Sequence, residues 1–561
     1  MFAWLHPGLV LIGGAPLIPL FTGRRRQVYQ LVLPLVVLGL IVSLSPGTYG
    51  SFVFLYLELV PGRVDSLSLV FAHVFGIMAV IGAIYSLHLD DPLHQVAAYV
   101  YAGSAMGVLF AGDLITLYVF WELMAFSSVW LIWMRRNPAS WRAGWRYLLV
   151  HGAGGVVLLG GIVLYYLETG SIAFDRIENT GAAFYLIVFG FMLNAAVPPL
   201  SAWLSDAYPE ATVTGAIFLS AFTTKTAVYT LVRGYPGTEM LVWFGAVMAI
   251  YGVVYAVLAN DIRRLLAYHI ISQVGYMVAG VGMGTAIALN GTASHAFTHI
   301  LYKALLFMGA GAVIHMTGRS KLTELGGIYR YMPVTFLLYM VGAFSISAFP
   351  LFSGFVSKTM VVEAAAVDGR AAIWLMLSLA SAGTFLHTGL KLPYFTFLGT
   401  DSGLRPKEAP LNMLVAMGIA AFLCVFIGVY PDWLYAMLPS PVDYHAYTVD
   451  HILWELQLLL FTGVGFFLLL KHVGGESKIS LDTDWIYRRA LPLAVRGVAA
   501  LFVPLREHFR TRSLLHMEQF LARVFHYHGP DSILARSWPT GTIALWVVVL
   551  LMLYQLVYYL L

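Results

Sequence analysis

Long apolar runs recur along this chain from one end to the other, and they constrain it more than any other feature. They lie near residues 4 to 22, 28 to 46, 66 to 88, 93 to 110, 112 to 134 and 143 to 167, continue at similar intervals to 471, and return in a last run at 540 to 561. A run of about 20 apolar residues carries an α-helix across a hydrocarbon core about 30 Å thick. Lipid offers no partner for backbone N–H and C=O groups, so only helices and closed barrels can span it. The runs are too long for the ten-residue alternation of a barrel strand and are rich in Leu, Ala, Gly and Met, which argues for helices. The expected fold is an all-α polytopic membrane protein of roughly 14 to 16 transmembrane helices. Composition agrees: 60% of the 561 residues are hydrophobic and only 11% are charged, against about a quarter charged in soluble domains.

Several chemistries are disfavoured. The single cysteine, Cys424, gives no thiolate set for an iron–sulfur cluster or structural zinc, and no disulfide framework. No GxxxxGK[ST] loop stands out, which disfavours ATP-driven transport. No cofactor and no metal are therefore expected. The net charge of +4 reflects cytoplasmic loops in a membrane protein, and no basic and aromatic interleaving suggests nucleic acid. Clusters at Arg24 to Arg26 and Arg135 to Arg146 are separated by four spans and share a side. The positive-inside rule makes that side cytoplasmic and the N-terminus external. "RRR" follows the first span rather than preceding it, so that span reads as a helix that stays and not as a signal peptide.

The run "LYVFWELMAFSSVWLIW" holds one ionisable group, Glu122. A charge at mid-bilayer costs roughly 2.5 to 3.5 kcal/mol on insertion scales, so each is a site hypothesis. Lys225, Lys358, His151, His269, His295, His299, Lys303, His387 and Lys391 also lie in apolar segments, with Arg263 and Arg264 at the mouth of another. His295, His299 and Lys303 follow one another at i, i+4 and i+8, a stripe on one helical face with steps of about 6 Å. His269 with Gln273, and His387 with Lys391, repeat the i, i+4 relation. Histidine titrates near neutrality, and a buried lysine loses its proton more readily, so these side chains suit a proton wire. Plainer readings stand beside this one. His151 can be a hydrogen-bonding packer between helices, Lys303 and Lys391 can snorkel, and Arg263 and Arg264 can simply end a helix. The His295 and His299 pair has metal-ligand spacing but no HExxH pattern.

Two regions read as broken helices: "NAAVPPLSAWLSDAYPEATVTGAIFLSAFTTKTAVYTLVR", with Pro198, Pro199 and Pro209 before Lys225, and "YMVGAFSISAFPLFSGFVSKTMVVEAA", with Pro350 and Gly354 before Lys358. Paired interruptions in two halves point to an internal repeat and a transport site. Residues 472 to 539 alternate apolar with basic residues and hold no run long enough to span. They read as amphipathic pieces divided at Pro492, Pro504 and Pro530.

With "GDLITLYVFWELMAFSSVWLI", "NDIRRLLAYHIISQVGYM" and "HAFTHILYKALLFMGAG", these two segments resemble the antiporter-like, proton-conducting subunits of Mrp-type Na⁺/H⁺ antiporters, of respiratory complex I and of membrane hydrogenases. "HTGLKLPYFTF" and "DTDWIYRR" resemble the D-type Mrp subunit in particular. The resemblance covers about residues 90 to 400. It implies two inverted five-helix repeats and a proton path through Glu122, Lys225, Arg263, His269, His295, His299, Lys303, Lys358 and Lys391, with Glu122 paired to Lys225. Arg263 stands where the family has a lysine. Arginine scarcely deprotonates, so His269 takes the relay there or Arg263 serves as fixed charge. The implied organisation is N-terminal helices over 1–90, the antiporter-like core over 91–400, further helices over 401–471, an interfacial segment over 472–539 and a last helix over 540–561. Partners would be other membrane subunits, the bilayer, protons and Na⁺, in the cell's inner (plasma) membrane. Three rivals to the antiporter reading remain: the pumping arm of a redox-driven translocase, an energy-coupling subunit for uptake of an ion or inorganic carbon, and a self-contained solute transporter.

Overall fold

The structure is a computed structural model and describes residues 4–178, 181–474, 476, 482–529, 532 and 538–560. The apolar runs are helices. Among the described residues, twelve helices are long and apolar enough to cross a membrane, and shorter apolar helices lie at Pro7–Leu20, Ala182–Asn194 and Pro333–Ile346. Polar residues mark where they start. Asp65, Asp91, Asp113, Asn137, Thr212, Asp261 and Thr285 each accept a backbone N–H of the helix that follows, filling donors that the first turn cannot fill itself. Between the second and third spans lie two short antiparallel strand pairs, Gly47–Tyr49 with Gly62–Val64 and Phe52–Phe54 with Leu57–Leu59.

Burial is inside out relative to a soluble protein. Phe422 and Phe461 are 66% and 71% exposed, as lipid contact requires. Lys225, His269, His295, His299, Lys303, Lys358 and His387 are fully enclosed.

The repeat is visible in detail. The helices Leu114–Trp133 and Pro138–Thr169 form a pair, as do Ile262–Met283 and Ala286–Thr317. In the first pair, Asp113 bridges Ala173, and in the second, Asp261 bridges Lys321. Each second helix is 32 residues long and closes on a glycine at φ 69, Gly170 or Gly318. At that backbone angle a Cβ would be strained. The preceding threonine folds back in both, Thr169 onto Tyr165 O and Thr317 onto Val313 O. The same sequence separation joins all these equivalents. Five crossings lie between the Asp113 and Asp261 ends, an odd number, so the two halves run in opposite directions through the bilayer.

Each half contains a helix interrupted in the same way. Ala182–Asn194 and Pro333–Ile346 both end on an alanine at φ 58, Ala196 and Ala348. In each, that alanine and its successor close a paired cap: Ala196 N to Leu193 O and Val197 N to Met192 O, and Ala348 N to Ser345 O and Phe349 N to Phe344 O. Such a cap satisfies carbonyls that the helix end would leave open, and the prolines that follow prevent the helix from continuing. Gly354 returns so close that a Cβ would sit 1.8 Å from Ser345 O. The second halves are Ala202–Ala207 and Lys358–Val367.

Two expectations need correction. Lys225 does not belong to the proline-broken helix. It lies in the next span, which has a break of its own at Phe222, between Val213–Ala221 and Thr223–Gly234. Pro209 sits in the short Tyr208–Glu210 turn that joins the proline-broken helix to this span. Nor is the basic C-terminal stretch in pieces, since Leu491–His528 is one helix of 38 residues. Pro492 occupies its first turn, where no N–H is needed, and Pro504 is carried inside it. Pro530 lies outside the described residues. By contacts the chain divides into Met1–Asp484 and Trp485–Leu561. The second unit comprises a π-helical turn, Ile486–Ala490, this long helix and Thr540–Leu560.

Candidate functional site

The helix Ala286–Thr317 runs through the interior, and its stripe of His295, His299 and Lys303 is fully buried. Lys303 anchors the centre: its Nζ lies 3.1 Å from His269 Nδ1. The His269 ring stands 4.9 Å from that of His387, and His387 Nδ1 is 2.6 Å from Thr388 Oγ1. His387 and Lys391 occupy a π-helical turn, Phe385–Lys391, a wide turn of the kind often found at functional sites. From there Lys391 Nζ donates to Val257 O at 2.5 Å and Ala259 O at 3.3 Å, at the end of the helix Glu239–Leu258. This arm leads from Lys303 to the face that carries the Arg135 cluster.

A second arm leads the other way. His299 and His295 stand 5.8 Å apart, ring to ring. Tyr302 OH lies 3.3 Å from His295 Nδ1, and Tyr276 is 6.0 Å from the His295 ring. Lys358, the first residue after the second break, points its ammonium between helices. It donates to Ser381 Oγ at 2.7 Å and to Ile346 O at 3.5 Å, and lies 5.9 Å from the centre of the Tyr276 ring. Ile346 O belongs to the end of the first half-helix, so the break exposes the carbonyl that helps hold the lysine. His269 Nε2, His295 Nε2, His387 Nε2 and both nitrogens of His299 are buried without a protein partner among the described residues. Leaving such a group unmade costs about 1–3 kcal/mol. The interior therefore keeps imidazole nitrogens unpartnered along both arms.

The first half is built differently. Lys225 is fully buried, and its Nζ donates to Ser220 O at 2.7 Å, across the Phe222 break. It is within electrostatic reach of His295, His299 and Lys303. Glu122 is half-buried, and its Oε1, which has no hydrogen-bond partner among the described residues, packs against Gly155. No ion pair joins Glu122 to Lys225 among the described residues, so the expected pairing is not formed in this structure. The repeat gives the reason. His151 and Gly155 stand where the second half has His299 and Lys303. A glycine in place of the lysine leaves the space that the Glu122 carboxylate takes. His151 packs between Tyr147 and Trp203, at 4.0 and 4.4 Å between rings, with both nitrogens unpaired among the described residues. Asp206, as far beyond Ala196 as Lys358 is beyond Ala348, is neutralised by Arg146 in two bonds of 2.6 and 2.8 Å.

Arg263 stands apart from both arms. It is buried, and its guanidinium donates to Ala211 O at 2.8 Å and to Pro209 O, clamping the connector before the Lys225 span. That placement ties the guanidinium to backbone carbonyls rather than to another titratable side chain. Sequence reasoning passed over Glu455. It lies in the helix Val449–Leu468, whose only other buried residues are Leu459 and Phe466. Its signal was a carboxylate seven residues inside an otherwise lipid-facing run.

A repeated, antiparallel helical bundle with broken helices and an enclosed ladder of lysine and histidine defines a class of polytopic membrane protein. Residues 111–386 match the family described as NADH:quinone oxidoreductase/Mrp antiporter, TM, and the chain belongs to that family. It is 28% identical to the A-type subunit of the Na⁺/H⁺ antiporter of Alkalihalophilus pseudofirmus, over 88% of this chain and 72% of that one. It is 30% identical to NAD(P)H-quinone oxidoreductase chain 5 of Picosynechococcus, over 76% of each. Its fold is similar to that of a chain in the membrane-bound sulfane sulfur reductase, an archaeal respiratory membrane complex, with a TM-score of 0.73 at 24% identity, covering 97% of this chain and 99% of that one.

Proposed function

We propose that this chain is the proton-translocating subunit of a multi-subunit Mrp-type cation/proton antiporter. The observation that carries the reading is the bond between Lys303 and His269, with titratable arms leading from it toward opposite faces. One proton shared there is stable. A second would set two cations about 3 Å apart, a repulsion of about 5 kcal/mol even at an effective dielectric of 20. Adding a proton from one arm therefore expels one into the other. Lys225 supplies a fixed or switchable charge beside the stripe, and Glu122 is the titratable group of the first half. The D-type likeness of "HTGLKLPYFTF" and "DTDWIYRR" is part of this proposal, as is passage of Na⁺. The protein would sit in the plasma membrane with its N-terminus outside. That orientation is supported by the many basic residues, among them Arg24, Arg135, Arg264, Arg319 and Lys407, that the crossings gather on one face.

The relation to a quinone oxidoreductase chain, and the fold shared with a respiratory complex over nearly the whole length, favour a second reading: the pumping arm of a redox-driven complex. Mild purification through a tag separates the two, since iron–sulfur absorbance in the co-purified assembly supports only the second. Both require the same path. In the assembled complex, Lys303→Ala and His269→Ala are expected to lower ΔpH formation in everted vesicles at least tenfold. Undiminished transport in both would sink the path.

A further inference from the structure

Beyond Lys358 the second arm has no assigned continuation, yet the structure places one more acid in its way. Glu455 is 5% exposed in a helix that shows most of its side chains to lipid. Its Oε2 is buried with no hydrogen-bond partner among the described residues. Lys358 and Tyr276 interact with it electrostatically from inside the bundle, and Tyr444 does so from outside. The hydroxyl of Tyr444 lies 2.9 Å from Thr359 Oγ1, the residue next to Lys358.

On the outer side of Glu455 the protein opens. A cavity of about 660 Å³ is lined by Glu363, Asp443, His445, Asp450 and His451, with Trp454 immediately before Glu455. His451 is one helical turn from Glu455 and so shares its face. The cavity lies at the end of the bundle opposite Lys391, because the helix Val449–Leu468 starts there. At 1.5 Å per residue, Glu455 is only about 10 Å from that start.

We infer that Glu455 is the last protein-borne proton acceptor of the second arm, taking a proton from Lys358 and releasing it into this cavity. The inference rests on the proton-path reading above. In the step, an N–H bond of the Lys358 ammonium breaks as an O–H bond forms on the Glu455 carboxylate, leaving a neutral amine and a neutral acid. The acid then gives its proton to water in the cavity, and the carboxylate is restored. Lys358 and Glu455 form no direct ion pair among the described residues, since the lysine donates to Ser381 and Ile346. This separation suits a relay better than a static bridge, which would hold both groups charged.

The test uses the assembled complex in everted vesicles, with co-purification as the check on assembly. Glu455→Gln, which keeps the size and removes the acid, is expected to lower the proton-transport rate at least tenfold, and Glu455→Asp to recover most of it. An infrared difference spectrum between acid and alkaline outer pH should contain a carboxyl C=O band that Glu455→Gln deletes, which a merely structural residue would not produce. Glu455→Gln at more than half the parental rate overturns the inference, as does survival of the band. Glu122→Gln and Lys303→Ala run alongside. If they too are silent, the path reading fails, and if they alone are impaired, only the role of Glu455 fails. Where Glu455→Gln does not assemble, Glu455→Asp decides through the same band, which moves if this carboxyl is its source and stays if it is not.

Discussion

Gly155 carries no side chain, and Glu122 uses the room. A Cβ there would lie 1.8 Å from Glu122 Oε1, and the carboxylate, at the end of a flexible side chain, would have to swing away. Alanine is the better helix former by about 1 kcal/mol. Gly155→Ala is therefore expected to hold or raise the melting temperature of the complex while cutting proton transport severalfold, as measured by thermal unfolding and vesicle acidification. Equal loss of both would mean that the glycine serves packing alone. Most of the ladder was legible in the sequence because an ion inside an apolar run is costly and therefore conspicuous. Lys303, with His269 and His387, was readable in this way. The partner of an ion is a tertiary fact, which is why the separation of Glu122 from Lys225 was not readable. Glu455 is inconspicuous in the sequence because a carboxylate near the end of a run resembles one that reaches headgroups. Only the inward orientation of its helix shows otherwise.

At the scale of elements, the two capped breaks are the most informative pieces. Proline announced both, but not the alanines at φ 58 that turn the chain before them. The left-handed conformation costs a non-glycine residue roughly 1–2 kcal/mol, and glycine returns about 0.5–1 kcal/mol of that through the unfolded chain's entropy. Ala348→Gly is expected to raise stability by up to about 1 kcal/mol, and a β-branched Ala348→Val to lower it by more, both read from thermal unfolding in mild detergent. The break at Phe222 and the π-helical turn at Phe385–Lys391 carry no proline or glycine pair at their centres, so local sequence gave no warning of them. The continuous Leu491–His528 helix shows the opposite error. Proline reads as a stop in sequence, although at a first turn it costs little, and inside a long exposed helix the turns on either side outweigh it.

For the whole molecule, the antiparallel halves were implied by the family resemblance and are seen in the five crossings between Asp113 and Asp261, while the membrane class and the helical fold follow from run length, which a sequence displays. What it does not display is which helices touch lipid. The helix Ala286–Thr317 has 94% of its most apolar window enclosed and carries His295, His299 and Lys303 at the centre. A lysine there opposes membrane partitioning by roughly 2.5–3.5 kcal/mol, which its neighbours offset only once they are present. Biosynthesis therefore has an obligatory order: this segment must wait at the insertion machinery for chain that emerges after it. A nascent chain ended at Glu324 is expected to integrate the segment incompletely, and one extended to Gly399, which supplies the Lys358 and His387 helices, to integrate it fully. Glycosylation mapping of the two lengths reads the difference, and equal integration would show that the segment enters unaided. The groups that make the interior a conductor thus also make its central helix dependent on chain not yet synthesised.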